Sequence, residues 1–156
     1  MKFDFVCVEE TSLHFVLEYC PEGSLSKLIE ETAAANRRFT EDQVASYLGQ
    51  MLLAVEHLHN MKLFHRDINP DNMFLSDNNT WLKFGDFGMS SAIEERQKSI
   101  AGDRKIFLAP LQNGNTAPYM PLEVLTGGKF SRAADMWSVG VTVYKLLQLR
   151  LPVRFF

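Results

Sequence analysis

The sequence predicts an α+β fold, with a stranded N-terminal stretch ahead of a mostly helical remainder. Three observations point there. Phe3 to Val8 and Leu13 to Tyr19 are apolar, β-prone runs separated by Glu9-Glu10-Thr11-Ser12, the pattern of a hairpin. Thr40-Glu41-Asp42-Gln43 has the form of a capping box. Behind it, Val44, Leu48, Met51, Leu52, Val55 and Leu58 recur at helical spacing over about five turns. Asp135 to Leu149 is apolar on nearly all sides, which predicts a buried helix.

The elements between these follow from local signals. Pro21-Glu22-Gly23 breaks the second strand, and Ser24 can cap a short helix with Leu25, Leu28 and Ile29 inward. Leu63-Phe64 and Met73-Phe74-Leu75 are short apolar segments, Asp77-Asn78-Asn79-Thr80 is a turn, and Trp81 to Phe84 is a strand. Residues 89–116 have no clear period and cluster their charges in 94–105, which reads as a long functional loop.

Composition bounds the function. The 156 residues are 46% hydrophobic and 22% charged, as in one globular domain with a sizeable core. A net charge of −3, with Lys and Arg scattered beyond the adjacent pairs Arg37-Arg38 and Arg104-Lys105, excludes the basic stripe that nucleic acid needs. Cys7 and Cys20 lack metal-ligand spacing and read as reduced thiols. Asp4, Glu9 and Glu10 rule against a signal peptide in the first ten residues. The stretch Met136 to Leu149 is too short to span a bilayer. The expectation is an intracellular, cytoplasmic protein without a membrane partner. His57 and His59 stand two apart on a helix and point about 200° apart, so they read as helix-end histidines rather than one metal site.

The chemistry concentrates in His65-Arg66-Asp67-Ile68-Asn69-Pro70-Asp71-Asn72 and in Asp86-Phe87-Gly88. Phosphoryl transfer needs a carboxylate beside the attacking hydroxyl and oxygen ligands that hold Mg²⁺ against phosphates. Asp67 and Asn72 stand five residues apart, and Asp86 returns after a turn and a strand. Gly88 lets the chain reverse behind Asp86.

These motifs resemble the His-Arg-Asp-x-x-x-x-Asn loop and Asp-Phe-Gly segment of eukaryotic-type serine/threonine protein kinases. The resemblance implies Asp67 as base, Asn72 and Asp86 as Mg²⁺ ligands, and Phe87 stacked with His65. Leu17 to Leu25 is similar to the hinge between kinase lobes. It implies an ATP site from Leu17 as gatekeeper, the backbone of Glu18 and Cys20, Ser24, and Phe74 as adenine floor. Thr116-Ala117-Pro118-Tyr119-Met120-Pro121-Leu122-Glu123 resembles the family's Thr-x-x-Tyr-Met-Ala-Pro-Glu segment. Asp135-Met136-Trp137-Ser138-Val139-Gly140 resembles its Asp-x-Trp-Ser-x-Gly helix, whose Asp anchors the catalytic loop. Arg66, Thr116 and Glu123 then fall at regulatory positions, and Ser90, Ser91 and Ser99 are further hydroxyls of the activation segment. Glu18-Tyr19-Cys20, Asn72 to Leu75 and Gly85 are similar to the NIMA-related (NEK) group. The implied partner is a protein substrate bearing serine or threonine, and the implied fold is a helical C-terminal lobe with two strands and the hinge of the N-terminal lobe.

The sequence also departs from that pattern. No Gly-x-Gly-x-x-Gly and no Val-Ala-Ile-Lys strand occur. The expectation is a kinase domain cut at both ends, with strands and hinge in 1–23 and a partial C-terminal lobe in 24–156. Asn69 stands where serine/threonine kinases carry a lysine, and is counted with Asp67 as catalytic. Losing one such oriented donor typically costs roughly 10²–10³-fold in rate. Pro121-Leu122 replaces Ala-Pro, and Pro110 with Leu111 to Gly114 reads as an insertion. Glu123 is expected without its arginine partner, and the apolar helix with an exposed patch. Phosphoryl transfer by these 156 residues alone is expected to be negligible. An inactive pseudokinase acting as a nucleotide- or protein-binding module is the alternative.

Overall fold

The structure, a computed structural model, describes residues 1–9, 11–92 and 116–152. Strands β1 (Phe3–Glu9) and β2 (Ser12–Leu17) form the expected antiparallel hairpin, with Val6 opposite Phe15 and Glu9 opposite Ser12. Alternating side chains project to both faces of such a ribbon. Phe3, Phe5, Val8, Leu13 and Phe15 are each more than half exposed.

Gly23 takes φ 80°, a left-handed conformation that glycine adopts without a Cβ penalty, and its N–H donates to the Cys20 carbonyl at 3.2 Å. That turn leads through β3 (Gly23–Ser24) into α1 (Leu25–Ala34). Ser24 caps this helix, its Oγ accepting from the Lys27 N–H at 3.3 Å. Leu25 and Ile29 are buried and Leu28 is half-buried, as the sequence predicts.

Helix α2 (Glu41–Asn60) opens with the full capping box. Thr40 Oγ1 accepts from the Gln43 N–H at 3.2 Å, and Gln43 Oε1 accepts from the Thr40 N–H at 2.9 Å. Val44, Met51, Val55 and Leu58 point inward, and Leu48 packs on the core. Leu52 corrects the expected face: it is 38% exposed, and Tyr47 is buried instead. The Tyr47 ring meets Phe39 edge-on at 6.4 Å, and its hydroxyl donates to the Asn79 carbonyl at 2.7 Å. The inward stripe is thereby turned toward the sheet.

That sheet has the order β3-β5-β6, with β5 (Met73–Ser76) and β6 (Trp81–Phe84) antiparallel. Asp77, Asn78 and Asn79 between them have φ 54°, 54° and 64°. Asn and Asp are the non-glycine residues that visit this region most readily. A second small pairing joins β4 (Leu63–Phe64) to β7 (Ser91–Ala92).

A 3₁₀ turn (Ala117–Tyr119) and the short α3 (Leu122–Leu125) precede α4 (Arg132–Gln148). Helix α4 starts three residues before the expected Asp135, and its burial is one-sided. Asp135, Ser138, Val139, Thr142 and Leu146 are buried, whereas Met136, Trp137 and Leu147 are 42%, 55% and 44% exposed. Apolar composition creates a demand for cover; among the described residues nothing covers this outer face. The core lies where α1, α2, α4 and the β5–β6 pair meet, around Leu25, Met51, Met73, Leu75 and Leu146. Each such side chain contributes about 1.5–3 kcal/mol by leaving water. No helix among the described residues is long and apolar enough to cross a membrane. Cys7 and Cys20 are both free thiols. Ser99, Pro110 and Leu111 to Gly114 lie outside the described residues, as do the clustered charges of 94–105.

Candidate active site

The loop 65–72 leaves β4 at Phe64 and is hung from α4 by one carboxylate. Asp135, 1% exposed, accepts from the His65 N–H on Oδ2 at 3.2 Å and from the Arg66 N–H on Oδ1 at 3.0 Å. The anchoring role expected of Asp135 is thus present in the geometry. His59 completes the cluster, its Nε2 standing 2.8 Å from Asp135 Oδ2. Sequence spacing had left His59 as an ordinary helix-end residue. It is 8% exposed, and its backbone carbonyl accepts from Arg132 at 3.3 Å. A partner 76 residues away leaves no local signal.

His65 is 1% exposed; its ring lies 5.0 Å from Phe87, tilted by 46°, and edge-on at 5.4 Å from Phe84. Its Nε2 donates to the Gly85 carbonyl at 3.2 Å, and its Nδ1 accepts from the Asp67 N–H at 3.4 Å. The two partners select the neutral tautomer protonated on Nε2. Burial pushes the imidazole below its ordinary range, opposed chiefly by the nearby Asp135 and Asp67 carboxylates. The folded protein therefore resists a proton that the unfolded chain accepts below about pH 6.5. Stability from this group is complete above that pH and declines as pH falls toward the depressed folded value. Urea unfolding midpoints between about pH 7 and pH 5 check this: His65→Gln should flatten the acid decline. An unchanged slope in that variant contradicts it.

Asp67 is held from two sides by amides. Asn69 Nδ2 donates to its Oδ1 at 2.9 Å, and Asn72 Nδ2 donates to its Oδ2 at 2.8 Å. Both amides also donate to the Asp67 backbone carbonyl, at 3.2 and 2.9 Å. Asn69 is 3% exposed, and its Oδ1 accepts from the Asp71 N–H at 2.9 Å, capping the 3₁₀ turn Pro70–Asn72. Asn69 is thus spent on orienting Asp67, and no cation pairs with Asp67 among the described residues.

Asn72 precedes β5 and Asp86 follows β6. Met73 opposes Phe84, and one step further the Gly85 N–H donates to the Asn72 carbonyl at 2.9 Å. Asp86 follows at φ 53°, exposed, its Oδ1 accepting from the Gly88 N–H at 3.1 Å. A non-glycine residue in this region stores backbone strain of about 1–3 kcal/mol, which clusters at functional sites. The Asn72 amide nitrogen is committed to Asp67, which leaves its oxygen for a ligand. One carboxylate and one amide oxygen fit Mg²⁺, which usually keeps waters and takes its other ligands from phosphate. No group of three or more His, Cys, Asp or Glu that could hold a metal occurs among the described residues, so an ion here would draw on phosphate oxygens. When bound, Mg²⁺ would neutralise phosphate charge.

The residues expected around adenine are brought to the rim of this same region. Leu17 ends β2, 46% exposed, and Cys20 is buried. The Glu18 N–H is taken by the Lys2 carbonyl at 2.8 Å, which leaves the Glu18 carbonyl as its backbone group for a ligand. Phe74 lies beneath, half-buried, against Gly85: a Cβ at residue 85 would stand 2.7 Å from Phe74 Cε2. Only glycine permits that approach. Ser24 Oγ accepts at the α1 cap, which leaves its O–H to donate. Lys83 is a residue that sequence reading missed. Its ammonium pairs with the Glu18 carboxylate, tying β6 to the hinge. That hydrogen bond, with the Lys2 N–H, holds the Glu18 carboxyl below its usual range and raises Lys83.

Arg66 is buried at φ 72°, its guanidinium 5.5 Å from the Phe130 ring centroid. Ser90 Oγ donates to the His65 carbonyl at 3.5 Å, and Ser91 pairs with Phe64 in β7. Thr116 is half-buried without a side-chain cap bond, and Glu123 is exposed with no ion pair among the described residues.

Known proteins are similar to this sequence. The family model described as "Protein kinase domain" matches residues 1–154. The 3-phosphoinositide-dependent protein kinase B of Dictyostelium discoideum is 34% identical over 156 residues, covering 100% of this chain and 16% of that protein. Mitogen-activated protein kinase kinase kinase 2 of Arabidopsis thaliana is 36% identical over 144 residues, covering 92% and 20%. Serine/threonine-protein kinase Nek5 of Mus musculus is 32% identical over 144 residues, covering 92% and 21%. The chain thus spans about a sixth to a fifth of the length of these relatives. With its loop anchored on Asp135 and its residues 1–154 matched, the chain belongs to the protein kinase domain family.

Proposed function

We propose that the chain carries the base and metal half of a serine/threonine protein kinase centre, moving the ATP γ-phosphate to a protein hydroxyl with Mg²⁺. Asp67 accepts or orients the hydroxyl proton, and Asn72 and Asp86 hold the metal. The Glu18 carbonyl, Cys20, Leu17 and Phe74 frame adenine. The single observation that supports this reading is the amide clamp on Asp67, because it commits the Asn72 amide nitrogen and leaves the amide oxygen for a ligand. Arg66 and Thr116 are proposed for control by phosphorylation, and Glu123 for shaping the substrate segment. A NIMA-related subgroup is proposed from Glu18-Tyr19-Cys20, Asn72 to Leu75 and Gly85; relatives of similar identity come from several groups.

One observation favours a second reading. Asn69 supplies no charge to a transferring phosphate, which suits a nucleotide-binding pseudokinase. Transfer of radiolabelled γ-phosphate to casein separates the two. The kinase reading expects weak incorporation that Asp67→Asn removes. Incorporation unaffected by Asp67→Asn, or absent at every enzyme concentration, leaves the pseudokinase reading.

A further inference from the structure

The β5–β6 pair has two unlike faces. Met73, Leu75, Leu82 and Phe84 are buried in the core. Alternation along the strands puts Phe74, Ser76, Trp81 and Lys83 on the other face. Lys83 stands directly across from Phe74 in the ladder, and cross-strand partners share a face. Lys83 is therefore the one charged residue on the face of this pair that carries Phe74. It lies three residues before Asp86.

The Lys83 ammonium reaches across 65 residues of sequence to Glu18 Oε1. The second oxygen of that carboxylate, Oε2, accepts from the Lys2 N–H at 3.0 Å. The Glu18 N–H in turn donates to the Lys2 carbonyl at 2.8 Å. Glu18 is thus held at three polar points, by β6 on one side and by the residue ahead of β1 on the other. Its carbonyl is the one polar group left without a partner among the described residues. The side chains of the pair are 28% and 34% exposed, and such pairs contribute little to folding. Its consequence lies in its position, between the hinge and the strand that leads to Asp86.

We propose that Lys83 is a positioning residue for base selection: by holding the Glu18 side chain it fixes the Glu18 carbonyl, so that the site takes a 6-amino purine nucleotide over a 6-oxo one. The inference rests on the reading of Glu18 and Phe74 as the frame around adenine. A 6-amino group donates to a carbonyl, whereas a 6-oxo purine sets oxygen against oxygen. A fixed polar group discriminates because the wrong partner leaves it unpaired. Released from Lys83, the Glu18 peptide can turn to suit either base, and the discrimination falls.

Displacement of a fluorescent ATP analogue by ATP or by GTP, with Mg²⁺ present, tests this. The natural sequence should release the analogue at lower ATP than GTP concentration. Lys83→Met should weaken ATP by about fivefold and leave GTP unchanged, so the preference falls by the same factor. Lys83→Arg keeps the ion pair and should keep the preference. Glu18→Gln still accepts from the Lys2 N–H but loses the pair, and should lose as much as Lys83→Met. The double variant should lose no more than either single one, as expected of partners in one interaction. An unchanged preference in Lys83→Met, an equal weakening of both nucleotides, or a loss in Lys83→Arg as large as in Lys83→Met overturns the role of Lys83 and leaves the adenine frame standing. No saturable binding of the analogue to the natural sequence overturns the frame itself, and this inference with it.

Discussion

Asp135→Ala should cost about 4 kcal/mol, because three buried donors lose their acceptor at once and each orphaned group costs roughly 1–3 kcal/mol. His59 Nε2, the His65 N–H and the Arg66 N–H all end on that carboxylate. For a chain of this size that is a fall of about 10 °C in Tm. Asp135→Asn keeps one acceptor oxygen and should lose about half as much. The loss should also be local in character. Amide exchange at residues 65–67 should accelerate more than at Leu25 or Met51, which sit in the core. Equal effects of Asp135→Ala and Asp135→Asn would mean that packing rather than hydrogen bonding holds the loop.

Asn69→Lys should raise phosphoryl transfer by about 10²-fold, the scale attached to one oriented donor at the reacting group. Lysine can reach the Asp67 carboxylate from the same position and adds the charge that Asn69 lacks. It forfeits the Asn69 cap on the Asp71 N–H, at about 1 kcal/mol of stability. Asn69→Ala loses the amide and gains nothing, so its transfer should not exceed that of the natural sequence. Radiolabelled incorporation into casein, per mole of folded protein, reads both variants. A flat or falling rate in Asn69→Lys would place the limitation elsewhere in the centre.

Much of this organisation is legible in the sequence, and the misses have physical causes. The α2 cap was legible because Thr40 and Gln43 are three residues apart and bond each other. The loop around Asp67 was legible because Asp67, Asn69 and Asn72 are near neighbours that bond one another. The inward face of α2 was partly misread, since helical period alone does not choose between Leu52 and Tyr47. Contacts of Tyr47 with Phe39 and Asn79, in other elements, make that choice. His59 with Asp135 and Lys83 with Glu18 were illegible because each pair spans more than sixty residues. The one-sided burial of α4 depends on what packs against it, which its own composition cannot state. The left-handed Arg66 carries no sequence mark, since that conformation does not select arginine.

The most direct test of a kinase-type metal and base centre is a thermal-shift titration with ATP, with and without Mg²⁺. Asp86→Asn keeps the shape of the site and removes its one proposed carboxylate ligand. ATP with Mg²⁺ should stabilise the natural sequence more than ATP with chelator. Removing groups that merely support a metal ligand costs roughly 10–100-fold, so Asp86→Asn should weaken Mg·ATP by at least about tenfold. ATP without metal should bind both proteins alike. A stabilisation by ATP that ignores Mg²⁺, or that Asp86→Asn leaves intact, would contradict the assignment of Asn72 and Asp86 as a metal pair.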